Sequence, residues 1–137
     1  LSRLPDFLHG LIPFVAYFVA AVSFCVLFCA TYTRLTPHNE FRLIVEKHNA
    51  SAAIALGGAL VGFAIALAGA VYATASPLEF AIWGVVAFAA QLVAYFLARL
   101  AHPSLSPAIE NNAIAAAVWL AAVSIAAGLL TAACMAS

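Results

Sequence analysis

An all-α integral membrane protein with four transmembrane helices is the fold class this sequence predicts, and three observations carry the prediction. The 137-residue chain is 67% hydrophobic and 7% charged, against about 45–50% and about 25% in soluble domains. Its apolar residues fall in four runs, each near the ~20 residues a helix needs to cross a ~30 Å hydrocarbon core. Most of its charges lie between those runs. A soluble domain of this size would still expose much of its surface, so lipid is the solvent the composition calls for. Five basic and five acidic residues leave no net field to draw nucleic acid, and none is expected as a partner.

The first run covers about residues 7–33 and carries no charge after Asp6, with His9 its one group ionisable near neutrality. It leads into Arg34 rather than an A-x-A-like cleavage site, so it reads as a span and not as a signal peptide. The second run covers about 50–74, the third about 78–98 and the fourth about 113–136. Each is expected to be helical, because an isolated strand in lipid would leave its backbone N–H and C=O groups unpaired. Ala75-Ser76-Pro77 predicts a tight turn that makes the second and third spans antiparallel neighbours. In the longer loop, Thr36-Pro37 reads as a hydroxyl N-cap followed by Pro at the first helical position. Phe41, Ile44, Val45 and His48 then fall on one face, opposite Glu40, Arg42, Glu46 and Lys47, which predicts a short helix at the membrane surface. Ser106-Pro107 is expected to open the other loop in the same way.

Basic residues set the expected orientation. Arg34, Arg42, Lys47 and Arg99 border one side and Arg3 the other, which predicts polar loops 34–48 and 100–111 in the cytoplasm and both termini outside.

The two halves also resemble each other. Asn49-Ala-Ser-Ala-Ala opens the second span and Asn112-Ala-Ile-Ala-Ala the fourth, while Arg34-Leu35 and Arg99-Leu100 close the first and third. Thr36-Pro37-His38-Asn39-Glu40 and Ser106-Pro107-Ala108-Ile109-Glu110 share a hydroxyl-Pro-x-x-Glu start. The expectation is one membrane domain over 1–137, built as a tandem repeat of a two-helix unit (about 7–74 and about 78–136). Units in tandem point the same way, so their pseudo-symmetry axis would lie along the membrane normal.

Small residues recur at spacings of three and four along three spans, which lets helix backbones approach closely where lipid removes the hydrophobic drive. The helix-packing positions are Gly58, Gly62 and Gly69, then Gly84, then Ala121, Ser124 and Gly128. Gln91 is a strongly polar side chain near mid-span and should face another helix. Its role is open between an interhelical hydrogen bond and a pore or substrate contact. Asn49 and Asn112 could cap the spans they begin, or line a polar pathway with Gln91, Glu46 and Glu110. Arg34 and Arg99 are expected at the interface, snorkelling to headgroups or pairing with those acids. Cys25, Cys29 and Cys134 read as small buried hydrophobes. His48 and His102 sit in no spaced ligand motif, so neither a metal nor a cofactor is expected.

The runs Tyr32-Thr-Arg-Leu-Thr-Pro-His-Asn-Glu40, Asn49-Ala-Ser-Ala-Ala-Ile-Ala-Leu-Gly-Gly-Ala59, Glu110-Asn-Asn-Ala-Ile-Ala-Ala-Ala117 and Ala132-Ala-Cys-Met135 resemble the small YjfL-like inner-membrane proteins of bacteria, catalogued as a domain of unknown function (DUF350). Glu46-Lys47-His48 departs from the Glu-Gly-Asn-like run more typical there. The resemblance implies a four-span bacterial inner-membrane protein with a duplicated two-helix unit. It also implies a place beside envelope-stress proteins of the phage-shock type, and supplies no activity.

With no nucleophile elbow, phosphate loop or buried carboxylate pair, no enzyme is expected. The leading expectation is a membrane subunit or scaffold that self-associates or docks with other membrane-protein subunits among the lipids. The alternative is a small channel or transporter around the polar residues.

Overall fold

The computed structural model describes residues 4–36 and 40–136. Among them are six helices and no strand: α1 (Leu4–Leu35), α2 (Glu40–Val45), α3 (Ala50–Ala73), α4 (Pro77–Ala101), α5 (Leu105–Glu110) and α6 (Ile114–Ala136). Four of these, α1, α3, α4 and α6, are long and apolar enough to cross a membrane. The chain is thus an all-α membrane protein of four spans, with α2 and α5 as short pieces in the two polar loops. α1 is longer than expected. Its 32 residues would extend about 48 Å at ~1.5 Å per residue, beyond a ~30 Å core. Pro13 lies inside it and cannot donate to the carbonyl of His9, a loss that helices within membranes tolerate.

The turn between α3 and α4 forms as its residues dictate. Ser76 caps α4 by accepting from Glu79 N–H at 3.2 Å, Pro77 takes the first helical position, and the Glu79 carboxylate accepts from Ala75 N–H at 3.3 Å. These reciprocal bonds follow the logic of a capping box.

α3 and α6 form the centre. They run parallel, and their backbones meet along the predicted small-residue seam. A Cβ on Gly58 would strike Ala121, one on Gly62 would strike the carbonyl of Ser124, and one on Gly128 would strike the carbonyl of Gly62. A Cβ on Gly69 would stand 2.6 Å from the Cα of Ala132. Gly58 and Gly69 each meet the residue 63 positions later, the spacing that separates Asn49 from Asn112. α4 lies against both helices, with Gln91 reaching α6 and Phe88 meeting Phe63 of α3 edge-on at 5.7 Å.

α1 is attached by a different chemistry. Phe28 stacks on Phe63 at 4.7 Å and meets Phe88 edge-on at 5.6 Å, while Tyr32 meets Tyr95 at 5.2 Å. The missing Cβ of Gly84 makes room for the Phe24 ring. Offset and edge-to-face ring pairs of this kind add about 0.5–1.5 kcal/mol each beyond area burial. Away from this ridge α1 faces outward, with 6% of its apolar stretch buried against 44% for α3.

Both short helices differ from the sequence expectation. Pro37, His38 and Asn39 lie outside the described residues, as does Arg3. α2 turns Leu43 into the core and leaves Phe41 and Val45 exposed, while His48 falls beyond the helix in a left-handed conformation (φ 49°). The apolar face therefore runs through Leu43 and Ile44. α5 starts at Leu105, ahead of Ser106, and its N-cap Ser104 makes no side-chain capping bond. Leu105 and Ile109 bury this helix against the bundle, and Ser106 is buried inside its first turn instead of capping it.

Gly128→Ala places a methyl group against the Gly62 carbonyl, so a loss above about 4 kcal/mol is expected, seen as collapse of the monodisperse peak in detergent chromatography. Gly84→Ala meets a ring able to shift and should cost less than about 3 kcal/mol, visible as a lowered thermal-aggregation midpoint.

Candidate functional site

The polar side chains fall into two groups. The first lies where α3 and α6 begin. A left-handed residue reverses the chain at each place, His48 (φ 49°) ahead of α3 and Asn112 (φ 59°) ahead of α6. Asparagine visits this conformation readily, and histidine does so at some cost. The backbone closes each reversal, with Asn49 N–H donating to the carbonyl of Leu43 at 2.8 Å and Ala113 N–H to that of Ala108 at 2.9 Å.

Both asparagines then serve α3. Asn49 Oδ1 accepts from Ala52 N–H at 2.9 Å, a conventional N-cap. Its Nδ2 donates to the carbonyls of Ile109 at 3.0 Å and Glu110 at 3.3 Å, tying α3 to the end of α5. Asn112 Oδ1 accepts from Ser51 N–H at 3.1 Å and Ser51 Oγ–H at 2.9 Å. The expectation that Asn112 caps its own span is therefore corrected. α6 begins at Ile114, and the left-handed turn aims the Asn112 side chain across to α3.

The second group lies deep in the bundle. Gln91 is 2% exposed, and its Nε2 donates to the carbonyl of Ser124 at 3.1 Å. Exchanging the amide atoms would face two oxygens, so the donor belongs on this side. Gly62 leaves the space, since a Cβ there would stand 2.8 Å from Nε2. Gln91 Oε1 is buried without a hydrogen-bond partner. Ser124 Oγ donates back to Leu120 O at 2.9 Å, and Trp119 Nε1 donates to Ala98 O at 3.3 Å.

The residues grouped as a polar pathway thus separate. Gln91 lies ten residues before the end of α4, about 15 Å along the helix from the loop side. Glu46 is exposed and pairs with Arg42 at 3.2 Å. Glu110 joins the asparagine group through its backbone carbonyl, and its side chain is exposed. Among the described residues neither Arg34 nor Arg99 forms an ion pair; Arg34 is exposed and Arg99 half-buried. Cys25 and Cys29 are half-buried and Cys134 is exposed, so Cys134 departs from the expected burial. No group of three His, Cys, Asp or Glu able to hold a metal occurs among the described residues.

Ser51 escaped the sequence reading. It is fully buried and bonds Asn112 through two atoms. Its Asn-x-Ser position was the available signal, obscured because the matching position in the second half is Ile114.

This architecture defines a multi-pass helical membrane protein whose polar groups cap helices and tie them together. Residues 6–135 match the family model described as Domain of Unknown Function (DUF350), and the chain belongs to that family. It is similar to the UPF0719 inner membrane protein YjfL of Escherichia coli strain K12, at 36% identity over 93% of this chain and 96% of that protein. It is also similar to the UPF0719 transmembrane protein YshE of Bacillus subtilis strain 168, at 29% identity over 76% of this chain and 78% of that protein. No solved structure gives a significant match. The chain is accordingly a multi-pass inner-membrane protein.

Asn49→Ala and Asn112→Ala should each cost about 1–2 kcal/mol through lost capping, read as faster hydrogen exchange over residues 50–53. Gln91→Met should be neutral or stabilising by up to about 1 kcal/mol, because it removes a buried acceptor without a donor. The thermal midpoint in detergent distinguishes the two groups.

Proposed function

We propose that the protein is a non-enzymatic subunit of the bacterial inner membrane that assembles with further copies of itself, forming a scaffold connected with envelope homeostasis. The predicted seam of Gly58, Gly62, Gly69, Ala121, Ser124 and Gly128 is used inside the chain, so assembly needs another face. If residues 63 apart are counterparts, as the tandem-repeat reading holds, that face is on α3. Ala116 and Leu120 of α6 are buried, on the flank that Ser124 shares as it meets α4. Their counterparts Ala53 and Gly57 are exposed and half-exposed, and Ala64 and Ala68 continue the exposed strip.

The observation that carries the reading is Gly57. Nothing lies within 4 Å of where its Cβ would stand. A glycine inside a helix costs about 1 kcal/mol relative to alanine, and the chain itself makes no use of this one. A helix from a second copy seated on the strip would use it, as small-residue faces do in membranes. In this reading both polar loops face the cytoplasm, following the charge bias.

Gly57→Leu should leave the fold intact and shift the native-gel species in mild detergent to lower mass, while Gly57→Ala retains the larger one. A wild-type chain that is monomeric both in mild detergent and after cross-linking in membranes would sink the proposal.

One observation favours a second reading, a small channel or transporter. The unpartnered Gln91 Oε1 is an acceptor deep in the bundle, a place where polar groups often mark a pathway. Proteoliposomes passing cations or small amines, with flux lost in Gln91→Leu, would establish it in place of the scaffold.

A further inference from the structure

Where α1, α2 and α3 meet, the surface holds a groove of about 560 Å³ whose lining exposes no polar atoms, within the ~300–1,000 Å³ of small-molecule sites. Phe18 of α1 stands at one end of the α1 wall. Phe41 of the surface helix and Leu60 of α3 also line the groove, and small residues such as Ala21, Cys25 and Cys29 occupy the wall beyond Phe18. From Phe18 to Ala30 the wall extends twelve residues, about 18 Å. That is close to one leaflet of a ~30 Å core.

The row that forms this wall does not end in hydrocarbon. Phe18, Val22, Val26 and Ala30 follow one another at intervals of four, and the next member is Arg34. At 3.6 residues per turn such a row winds about 40° round the helix at each step, so Arg34 stands one turn past Ala30 and about 40° to its side. The loop-side end of the groove, at Ala30, therefore lies within reach of the long side chain of exposed Arg34, at the level of the polar loop. A guanidinium such as that of Arg34 matches phosphate oxygens with paired donors. Arg42 is already engaged by Glu46.

We infer that this groove binds one anionic phospholipid of the loop-side leaflet, its acyl chain lengthwise against α1 and its phosphate on Arg34. Phe18 and Phe41 are exposed rings on the lining, which a transmembrane helix of ~10 Å diameter would have to clear, and a narrower hydrocarbon chain is the occupant they obstruct less. A long apolar slot with a cation at its interfacial end matches an amphiphile with charge at one end.

The test uses the full chain in vesicles of equal parts phosphatidylglycerol and phosphatidylcholine, with a phosphatidylglycerol bearing a photoreactive group at mid-chain. Cross-links should concentrate on α1 between Val22 and Ala30. Val26→Trp should remove them, and Val22→Trp is the second groove-filling variant; both native residues are exposed, so the fold should survive. Val19→Trp, on the exposed surface outside the groove lining, should leave them unchanged. Arg34→Gln should lower the preference for phosphatidylglycerol over phosphatidylcholine about fivefold without moving the cross-links. Cross-links spread evenly over α1 and outward positions such as Val93 and Leu129 would overturn the proposal, as would yields unchanged by both groove-filling variants. So would a native mass spectrum in which those variants change the number of chains and leave lipid retention the same, since a second copy would then occupy the groove.

Discussion

The carbonyl of Gly62 occupies the space a Cβ on residue 128 would need, and most of the architecture follows from that contact. Lipid tails are as apolar as the side chains, so burying leucine gains little and helices associate through van der Waals contact. Such contact is densest where backbones touch. Glycine at 58, 62, 69 and 128 lets α3 and α6 reach that limit while running parallel. With the two helices locked together, the Gly62 side also holds room for the Gln91 amide, and α4 packs there with Gln91 bonded to the Ser124 carbonyl and Phe88 against Phe63.

The polar side chains serve the same contact at two depths. Where α3 begins, Asn49 and Asn112 supply acceptors to successive backbone amides, those of Ala52 and Ser51. Free amides at a helix start are costly where water is scarce. Asn112 bonds Ser51 of α3 while standing just ahead of α6, so capping and helix pairing are one interaction. Deep in the bundle, Gln91 adds a donor to a carbonyl that already belongs to a helix. It leaves its own oxygen without a partner, the sort of local inconsistency that accompanies functional sites in otherwise well-satisfied proteins.

α1 stands apart. Its aromatic ridge grips α3 and α4 through Phe24, Phe28 and Tyr32, and the rest of its length looks outward. Rings tolerate small displacements that a backbone contact forbids, because offset and edge geometries differ little in energy. The outward side therefore combines a rigid central pair with a peripheral helix and leaves two features unfilled, the strip along Gly57 and the groove toward Arg34. The two adjoin on α3, where Leu60 lines the groove and stands between Gly57 and Ala64 of the strip.

The sequence by itself determined the class, the four spans and the small-residue faces. Composition excludes water as the solvent for these runs, and small residues at spacings of three and four have one strong physical use in lipid. The Ser76-Pro77 turn and the Asn49 cap were legible for the same reason, since both act over a few residues. What only the tertiary structure decided is who meets whom. Spacing shows that Gly58 and Ala121 each lie on a small-residue face, and it does not show that those faces pair with each other. Asn112 reads as the cap of its own helix until the left-handed turn carries its oxygen to Ser51. Leu43, and not Phe41, enters the core because the path of the loop sets the rotation of a six-residue helix too short to fix its own. Local rules operate through bonds a few residues apart, whereas these choices depend on groups about 60 positions distant that the fold brings into contact.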